Sequence, residues 1–390
     1  MLKYQNWYIG IWLIVVLLYC QGWSSLNAPL ISSLLSFFVA SIFVTFFLSV
    51  FSSPVPLLKL RWVRTRKPLI TIFLIAGFVA DWAYRREIPI FNPYQGFDTS
   101  VTEQETMGIP VVHVVIIGLS IFYAMYLQYL FLSNTKQKTL LVELLSVLFL
   151  LLLNNSRGYV VFSLFVGVLL YAAFNKSDLL NTRASVIVFL VFGVLGIVFF
   201  ISAAGNIRSG YSWNDCSYIE AIGYFDNYPS WLSKHFMWFY TYATSPLANL
   251  NLNCSLHYSN FDAPGLLYSF LPEQISNSYL LVNVKPAYIV QHLNACTGFA
   301  TFSVAAGSLG LFVGFVGLVG YYSLIKVVLK KFVVLQTFGN ALLCFLTIAF
   351  IFFNCFTTSA LCYIPLFLII ASIYLHGRYL NGDIELINVN

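Results

Sequence analysis

The sequence predicts an all-α polytopic membrane protein, a single integral membrane domain over residues 1–390 with about ten transmembrane helices. Only 9% of the residues are charged, whereas soluble domains carry about a quarter. The mean hydropathy is +0.82, and no charged residue occurs between Lys3 and Lys59. The net charge of +6 is spread too thinly to form a nucleic-acid-binding face.

The uncharged stretches define the predicted spans, because a helix needs roughly 20 apolar residues to cross a bilayer. Pro29 divides the first stretch into two spans. The predicted spans are Trp7–Trp23, Ala28–Phe51, 68–84, 109–132, 138–154, 158–174, 185–204, 298–325, 334–353 and 360–376. These segments are too continuous for the alternating pattern of an outer-membrane barrel.

The distribution of basic residues predicts the orientation, since cytoplasmic connections are enriched in Lys and Arg. The connection 52–67 carries five basic residues and no acid. If it is cytoplasmic, both termini are cytoplasmic too, and 14 of the 20 basic residues lie inside. Ten of the 14 acids then lie on or near the outer side. The net charge is therefore a topological signal.

Two outer connections are predicted, the first outer loop at 85–108 and a large loop at 205–297 between spans 7 and 8. Loops as long as 205–297 are usually functional. Its segment 213–243 is rich in Trp and Tyr and is predicted to form interfacial helices. The pattern favours an aromatic belt at headgroup depth, and stacking platforms for sugar rings are the alternative. Three cysteines in the large loop allow one disulfide and leave an odd thiol, with no pairing specified.

Two arginines at the outer surface are candidate oxyanion ligands. Arg157 lies in Asn-Asn-Ser-Arg-Gly, next to Ser156, and Arg208 lies in Gly-Asn-Ile-Arg-Ser-Gly, two residues after Asn206. A guanidinium binds oxyanions through a planar fork and keeps its charge, which suits a diphosphate. The alternative is an arginine that reaches lipid phosphates nonspecifically.

Candidate proton acceptors on the same side are His292, Asp215 and Glu220, with His235, His257 and Asp226 as further options. His292 comes just before an uncharged span, although it fits a solvated loop histidine as well. The two carboxylates follow Arg208 closely and fit simple charge neutralisation. Glu143, within a span, is interpreted as structural. The sequence has no nucleotide-binding loop, GxSxG, HExxH or acidic metal pair, so no metal and no cofactor are predicted.

These features resemble bacterial O-antigen polymerases of the Wzy type. The resemblance rests on Asn155–Gly158, the Gly-Asn-Ile-Arg-Ser-Gly segment, the stretch Tyr240–Leu250, the large outer loop and the glycine-rich helix Asn294–Gly320. It covers the architecture of nearly the whole chain. Family members often carry an acid early in that helix, whereas this chain reads Ala306–Gly310 with no acid, so no role of that acid transfers.

The resemblance implies a glycosyltransferase-C-like fold in the bacterial inner (cytoplasmic) membrane, with the large loop in the periplasm. Such an enzyme transfers the growing glycan from undecaprenyl diphosphate to a new lipid-linked repeat unit, so both donor and acceptor are lipid-linked oligosaccharides. Arg157 and Arg208 would stabilise the leaving diphosphate. Membrane lipid and a chain-length regulator protein are the further partners that the resemblance implies.

Three alternatives remain. An O-antigen ligase would transfer the glycan to lipid A-core and would have similar arginines and a similar outer loop. A lipid-linked oligosaccharide flippase would need charged residues within the spans, and the sequence places only Glu143 clearly there. The third alternative is a membrane assembly protein without catalysis.

Overall fold

The computed structural model describes residues 2–63, 67–91, 108–109, 111–133, 137–154, 156–175, 196, 198–207, 209–279 and 284–389. Most of the described chain is helical. In chain order, its elements are α1 (Tyr4–Tyr19), α2 (Ser32–Phe51), β1 (Leu58–Trp62), α3 (Leu69–Arg85), a 3-10 turn (Pro89–Phe91), α4 (Val112–Ser133), α5 (Lys138–Leu153), α6 (Arg157–Phe174), α7 (Val198–Ile207), α8 (Ser217–Gly223), α9 (Phe236–Leu256), α10 (Ala263–Tyr268), α11 (Glu273–Tyr279), α12 (Ala300–Lys331), a 3-10 turn (Val333–Leu335), α13 (Gln336–Ala349), α14 (Ser359–Cys362), α15 (Ile364–Leu380) and β2 (Ile384–Asn388).

The helices agree with an α-helical membrane protein. Four helical stretches in the described chain are long and apolar enough to cross a membrane, namely α2, α4, α12 and the stretch Ala360–Leu380 that contains α15. Shorter apolar helices include α1, α6, α7 and α13. The predicted spans near the N-terminus thus correspond to helices, whereas the first part of span 185–204 lies outside the described residues.

Helix α4 forms the centre of the bundle. It packs against α3, α5, α6 and α15, and tyrosines and aliphatic residues around its whole circumference are buried. The other long apolar helices leave large hydrophobic side chains exposed, for example Phe43 and Phe46 on α2, which are 61% and 54% exposed. This pattern is typical of a bundle whose outer surface contacts lipid.

One end of the bundle carries Lys3, β1 and β2, close to the described ends of the chain. Strands β1 and β2 pair antiparallel, with Leu58 opposite Asn388 and Arg61 opposite Glu385. The Nζ of Lys3 donates to the carbonyl oxygens of Ser49 at 3.1 Å and Ser52 at 2.8 Å. The sheet adds a small β element that the all-α prediction lacks. We call this end of the molecule the basic end.

The opposite end carries the segments predicted to be functional. Helix α6 ends at Phe174, whose ring lies 5.1 Å from the Nζ of Lys59 in β1. Its 18 residues rise by about 27 Å at 1.5 Å per residue, which places Arg157 at the far end. Helix α1 likewise runs from Tyr4, whose ring lies 4.6 Å from the Nζ of Lys326, to Tyr19. We call the far end the site end.

The described part of segment 205–297 is folded into the site end. Helix α9, 21 residues long, packs against α1 and α12. The loop after α1 joins it, since the ring of Trp23 stacks on Tyr240 at 4.9 Å and the Asn27 side chain donates to the Tyr240 hydroxyl at 2.7 Å. The expected interfacial loop therefore contains a buried helix that belongs to the bundle.

Helix α12 is interrupted near the site end. Gly307 has a φ of +50°, and a Cβ at this position would lie 2.5 Å from the carbonyl oxygens of His257 and Tyr258. The short first part of the helix folds back, so that the backbone of Phe302 touches Gly310. Glycine is required at position 307 because the backbone of His257 and Tyr258 approaches it closely. Gly307 and Gly310 thus serve close backbone packing.

Candidate functional site

Helix α7 ends in a glycine-closed turn next to Arg208. Gly210 has a φ of +84°, and its N–H donates to the Ile207 carbonyl at 3.0 Å. The N–H of Tyr211 donates to the Asn206 carbonyl, also at 3.0 Å. This pair of bonds is a Schellman motif, which needs a residue that tolerates positive φ. Arg208 itself lies outside the described residues.

Asn206 holds the end of α7 to α9. Its side chain is fully buried; it accepts a hydrogen bond from the indole Nε1 of Trp238 at 2.6 Å and donates to the Trp213 carbonyl at 3.0 Å. The indole lies against Gly205, where a Cβ would be 2.6 Å from the ring. In this conformation the amide faces protein, so the expected diphosphate contact stays a prediction and the observed role is positioning.

Ser156 and Arg157 lie at the turn between α5 and α6. The N–H of Ser156 donates to the Leu151 carbonyl at 3.0 Å, and the Ser156 carbonyl accepts from Tyr159 at 3.1 Å. Arg157 is the first residue of α6, and its side chain lies outside the described part of the structure. The start of a long helix favours anions, because its free N–H groups carry partial positive charge. The backbone position therefore suits a phosphate ligand.

His292 lies in an irregular segment that α9 holds in place. The Asn249 side chain donates to the carbonyls of Leu293 and Ala295, both at 2.8 Å, and accepts from the N–H of Ile289 at 3.0 Å. One turn later, Asn253 makes two hydrogen bonds of 2.8 Å to the backbone of Ala287. Asn249 belongs to the stretch Tyr240–Leu250 on which the resemblance rests. That stretch thus positions the exposed imidazole of His292.

The two candidate carboxylates lie on α8 and just before it. Asp215 accepts the backbone N–H of Ser217 at 3.0 Å, and the hydrogen bonds from Ser217 lower the pKa of the Asp215 carboxyl. Glu220 pairs with Lys234 at 2.6 Å, and both side chains are largely solvated. A lowered pKa makes Asp215 a weaker base, and Glu220 has a cationic partner. His292 is the better placed candidate base of the three.

A serine, a histidine and a cysteine contact one another near the start of α8. The Ser202 hydroxyl lies 2.9 Å from the Nδ1 of His235, and the Cys216 sulfur lies 3.8 Å from the same nitrogen. Ser202 and Cys216 are buried. His235 was an optional base by sequence, but its ring is engaged inside the protein. All seven cysteines of the chain are free thiols in the structure.

Three ionisable side chains that sequence reasoning missed meet at the site end of α3 and α4. The Nδ1 of His113 lies 2.8 Å from the Oδ2 of Asp81, and the Nε of Arg85 lies 3.4 Å from the same oxygen. The other oxygen of Asp81 accepts the N–H of Ile109 at 2.9 Å. Side-chain exposure is 1% for Asp81, 3% for His113 and 9% for Arg85. We call this group the buried charge cluster. The spacing of Asp81 and Arg85, one helical turn apart, was the available signal.

Glu143 has the polar partners expected of a structural residue. Its Oε2 accepts the hydroxyl of Thr71 on α3 and the hydroxyl of Tyr123 on α4, both at 2.8 Å. The carboxyl group thereby ties α5 to two neighbouring helices. This agrees with the interpretation of Glu143 as structural.

The described residues form a mostly helical bundle with the apolar helices of a membrane protein, and polar and aromatic side chains contact one another at one end of it. Comparisons with protein-family models, curated proteins and solved structures gave no match for this chain. The functional argument therefore depends on the residues and their placement.

Proposed function

We propose that this protein is a polytopic glycosyltransferase of the bacterial inner membrane that polymerises undecaprenyl-diphosphate-linked O-antigen repeat units. The proposal includes about ten spans, a glycosyltransferase-C-like arrangement, cytoplasmic termini and a periplasmic site end. One observation carries it. The start of α6, the end of α7 and the His292 segment all lie at the end of the bundle opposite the basic end.

The proposed reaction needs an oxyanion ligand and a base on the outer surface. The bond between the anomeric carbon of the donor glycan and undecaprenyl diphosphate breaks, and Arg157 and Arg208 stabilise the charge that develops on the leaving diphosphate. A hydroxyl of the acceptor sugar forms the new glycosidic bond, and its proton passes to His292. The sugar–diphosphate bond supplies the free energy, so the reaction consumes no nucleotide.

A deletion strain tests the function. On a lipopolysaccharide gel we expect a single repeat unit on the core, because transfer to the core continues while polymerisation stops. Loss of all O-antigen from the core would instead indicate the ligase. Normal long chains would rule out both. A reporter-fusion map that placed 205–297 in the cytoplasm would overturn the proposed topology.

Lysine substitutions test the diphosphate role. We expect Arg157→Lys and Arg208→Lys to abolish long-chain polymer while the protein stays in the membrane, since lysine keeps the charge but loses the bidentate fork. Arg86→Lys is the matched control, because Arg86 is exposed beyond the site end of α3. Normal chain length in both test variants would contradict the role.

The buried charge cluster gives one observation in favour of the transport alternative. It adds ionisable groups near the α3–α4 interface, where the sequence alone placed only Glu143 within a span. Both carboxylate oxygens of Asp81 have partners, His113 and the backbone N–H of Ile109, which fits a structural role better. Lipid-linked units trapped on the cytoplasmic side of the deletion strain would favour the flippase.

A further inference from the structure

Four aromatic rings form a row at the site end, which we call the aromatic row. The ring centroids of Tyr211 and Tyr218 are 5.7 Å apart, those of Tyr218 and Trp238 are 6.3 Å apart, and those of Trp238 and Tyr242 are 5.7 Å apart. Successive ring planes differ by 38°, 25° and 29°. The rings come from the turn after α7, from α8 and from α9, so the tertiary fold assembles the row.

The row has a fixed centre and accessible ends. Trp238 is 3% exposed and its indole N–H is held by Asn206, whereas Tyr211 is 41% and Tyr242 is 37% exposed. A ligand would therefore meet the end rings without displacing the core of the protein. Binding sites for small molecules commonly combine rigid aromatic walls with a few polar groups.

The aromatic row contacts two residues of the proposed reaction site, His292 and Asn206. The ring of His292 lies 6.5 Å from that of Tyr218. The indole N–H of Trp238, the next ring in the row, donates to the side chain of Asn206, two residues before Arg208. The row thus connects the candidate base with the segment of a candidate diphosphate ligand.

A second aromatic group of the outer segment serves packing only. Tyr240 is fully buried, and its hydroxyl accepts the side-chain amide of Asn27. Trp23 and Phe225 flank it, with centroids 4.9 Å and 5.9 Å away. The ring of Tyr240 is therefore enclosed by the fold, whereas the rings of Tyr211 and Tyr242 remain accessible.

We propose that the aromatic row binds the saccharide of the lipid-linked substrate, with sugar rings stacked through their C–H faces on Tyr211 and Tyr242. Aromatic side chains present large apolar faces, and these suit the apolar C–H faces of sugar rings. The identity of the saccharide rests on the proposed function, whereas the row and its accessibility do not. A membrane belt is the competing assignment, and it predicts no saccharide affinity.

Binding without turnover tests the inference. The full-length protein in lipid nanodiscs is titrated calorimetrically with the repeat-unit oligosaccharide, released by mild acid from its lipid diphosphate. We expect Tyr211→Ala and Tyr242→Ala each to weaken binding by about fivefold to tenfold. Tyr→Phe at either position should retain binding, since the ring face is kept. Trp231→Ala is the matched control, because Trp231 is 80% exposed in the same outer segment.

The outcomes separate this inference from the proposed function. It is overturned if the wild type does not bind the oligosaccharide, or if the alanine variants bind as tightly as the wild type. A lower thermal stability in nanodiscs with unchanged saccharide binding would assign the rings to the membrane belt. If the alanine variants bind the saccharide more weakly but the deletion strain still makes normal polymer, the saccharide site is kept and the polymerase function is rejected.

Discussion

The buried charge cluster allows a sharp test of what holds α3 and α4 together. Asp81→Asn keeps the size of the side chain but removes the counter-charge of Arg85, whose side chain is 9% exposed. It also weakens the 2.8 Å contact to His113. Removing one partner of a buried ion pair costs about 3–5 kcal/mol, because an uncompensated charge stays buried. We expect a loss of this size in the free energy of unfolding.

The measurement is denaturant unfolding of the purified protein in mixed micelles. Lys234→Gln is the matched control, since it breaks an ion pair whose side chains are 61% and 42% exposed, and such pairs contribute at most about 1 kcal/mol. The double variant Asp81→Asn/Arg85→Gln removes both charges and should recover part of the loss. A single variant within about 1 kcal/mol of the wild type would refute the reasoning.

Three other positions give predictions of different kinds. Gly205→Ala should displace Trp238, because the new Cβ would lie 2.6 Å from its ring. A changed tryptophan emission spectrum would report this displacement. Gly10→Ala is the control and should leave the spectrum unchanged, because the space around Gly10 is open. Gly307→Ala should strongly reduce the yield of folded protein, since the position has a positive φ and the new Cβ would lie 2.5 Å from two carbonyl oxygens. A wild-type yield would show that the helix interruption does not require glycine. Ser217→Ala should raise the lowered pKa of Asp215. Asp215 would then become protonated at a higher pH than in the wild type, so the acid limb of the pH–activity profile should shift to higher pH. An unshifted acid limb would mean that Asp215 does not control it.

The class of the protein followed from residue types and their order. Long uncharged runs and the basic connection 52–67 predicted helices with a charged end. The structure brings the described part of that connection together with Lys3 and β2. The helix bounds agree closely where the apolar runs are uninterrupted, as in α2. They differ at Gly307, because a helix interruption depends on a close backbone contact with His257 and Tyr258. Hydropathy carries no information about such a contact.

The candidate site was predicted in part. Sequence patterns pointed to the segments of Arg157, Arg208 and His292, and the structure places the described parts of these segments at one end of the bundle. The positioning roles of Asn206 and Asn249 were not predictable from the sequence. Asn206 binds Trp238 in a different helix, and Asn249 binds backbone carbonyls 44 and 46 residues away. The same limit applied to the aromatic row.

Composition and the order of the charges predicted the membrane class and two unlike ends, because the free energy of placing a side chain in lipid or at a charged surface depends mainly on its own chemistry. The partners of the buried polar groups needed the folded chain. Asp81 meets His113 across 32 residues, and β1 meets β2 across nearly the whole sequence. Such contacts form because packing brings distant backbone and side-chain groups into one low-dielectric space, where each must find a hydrogen-bond partner.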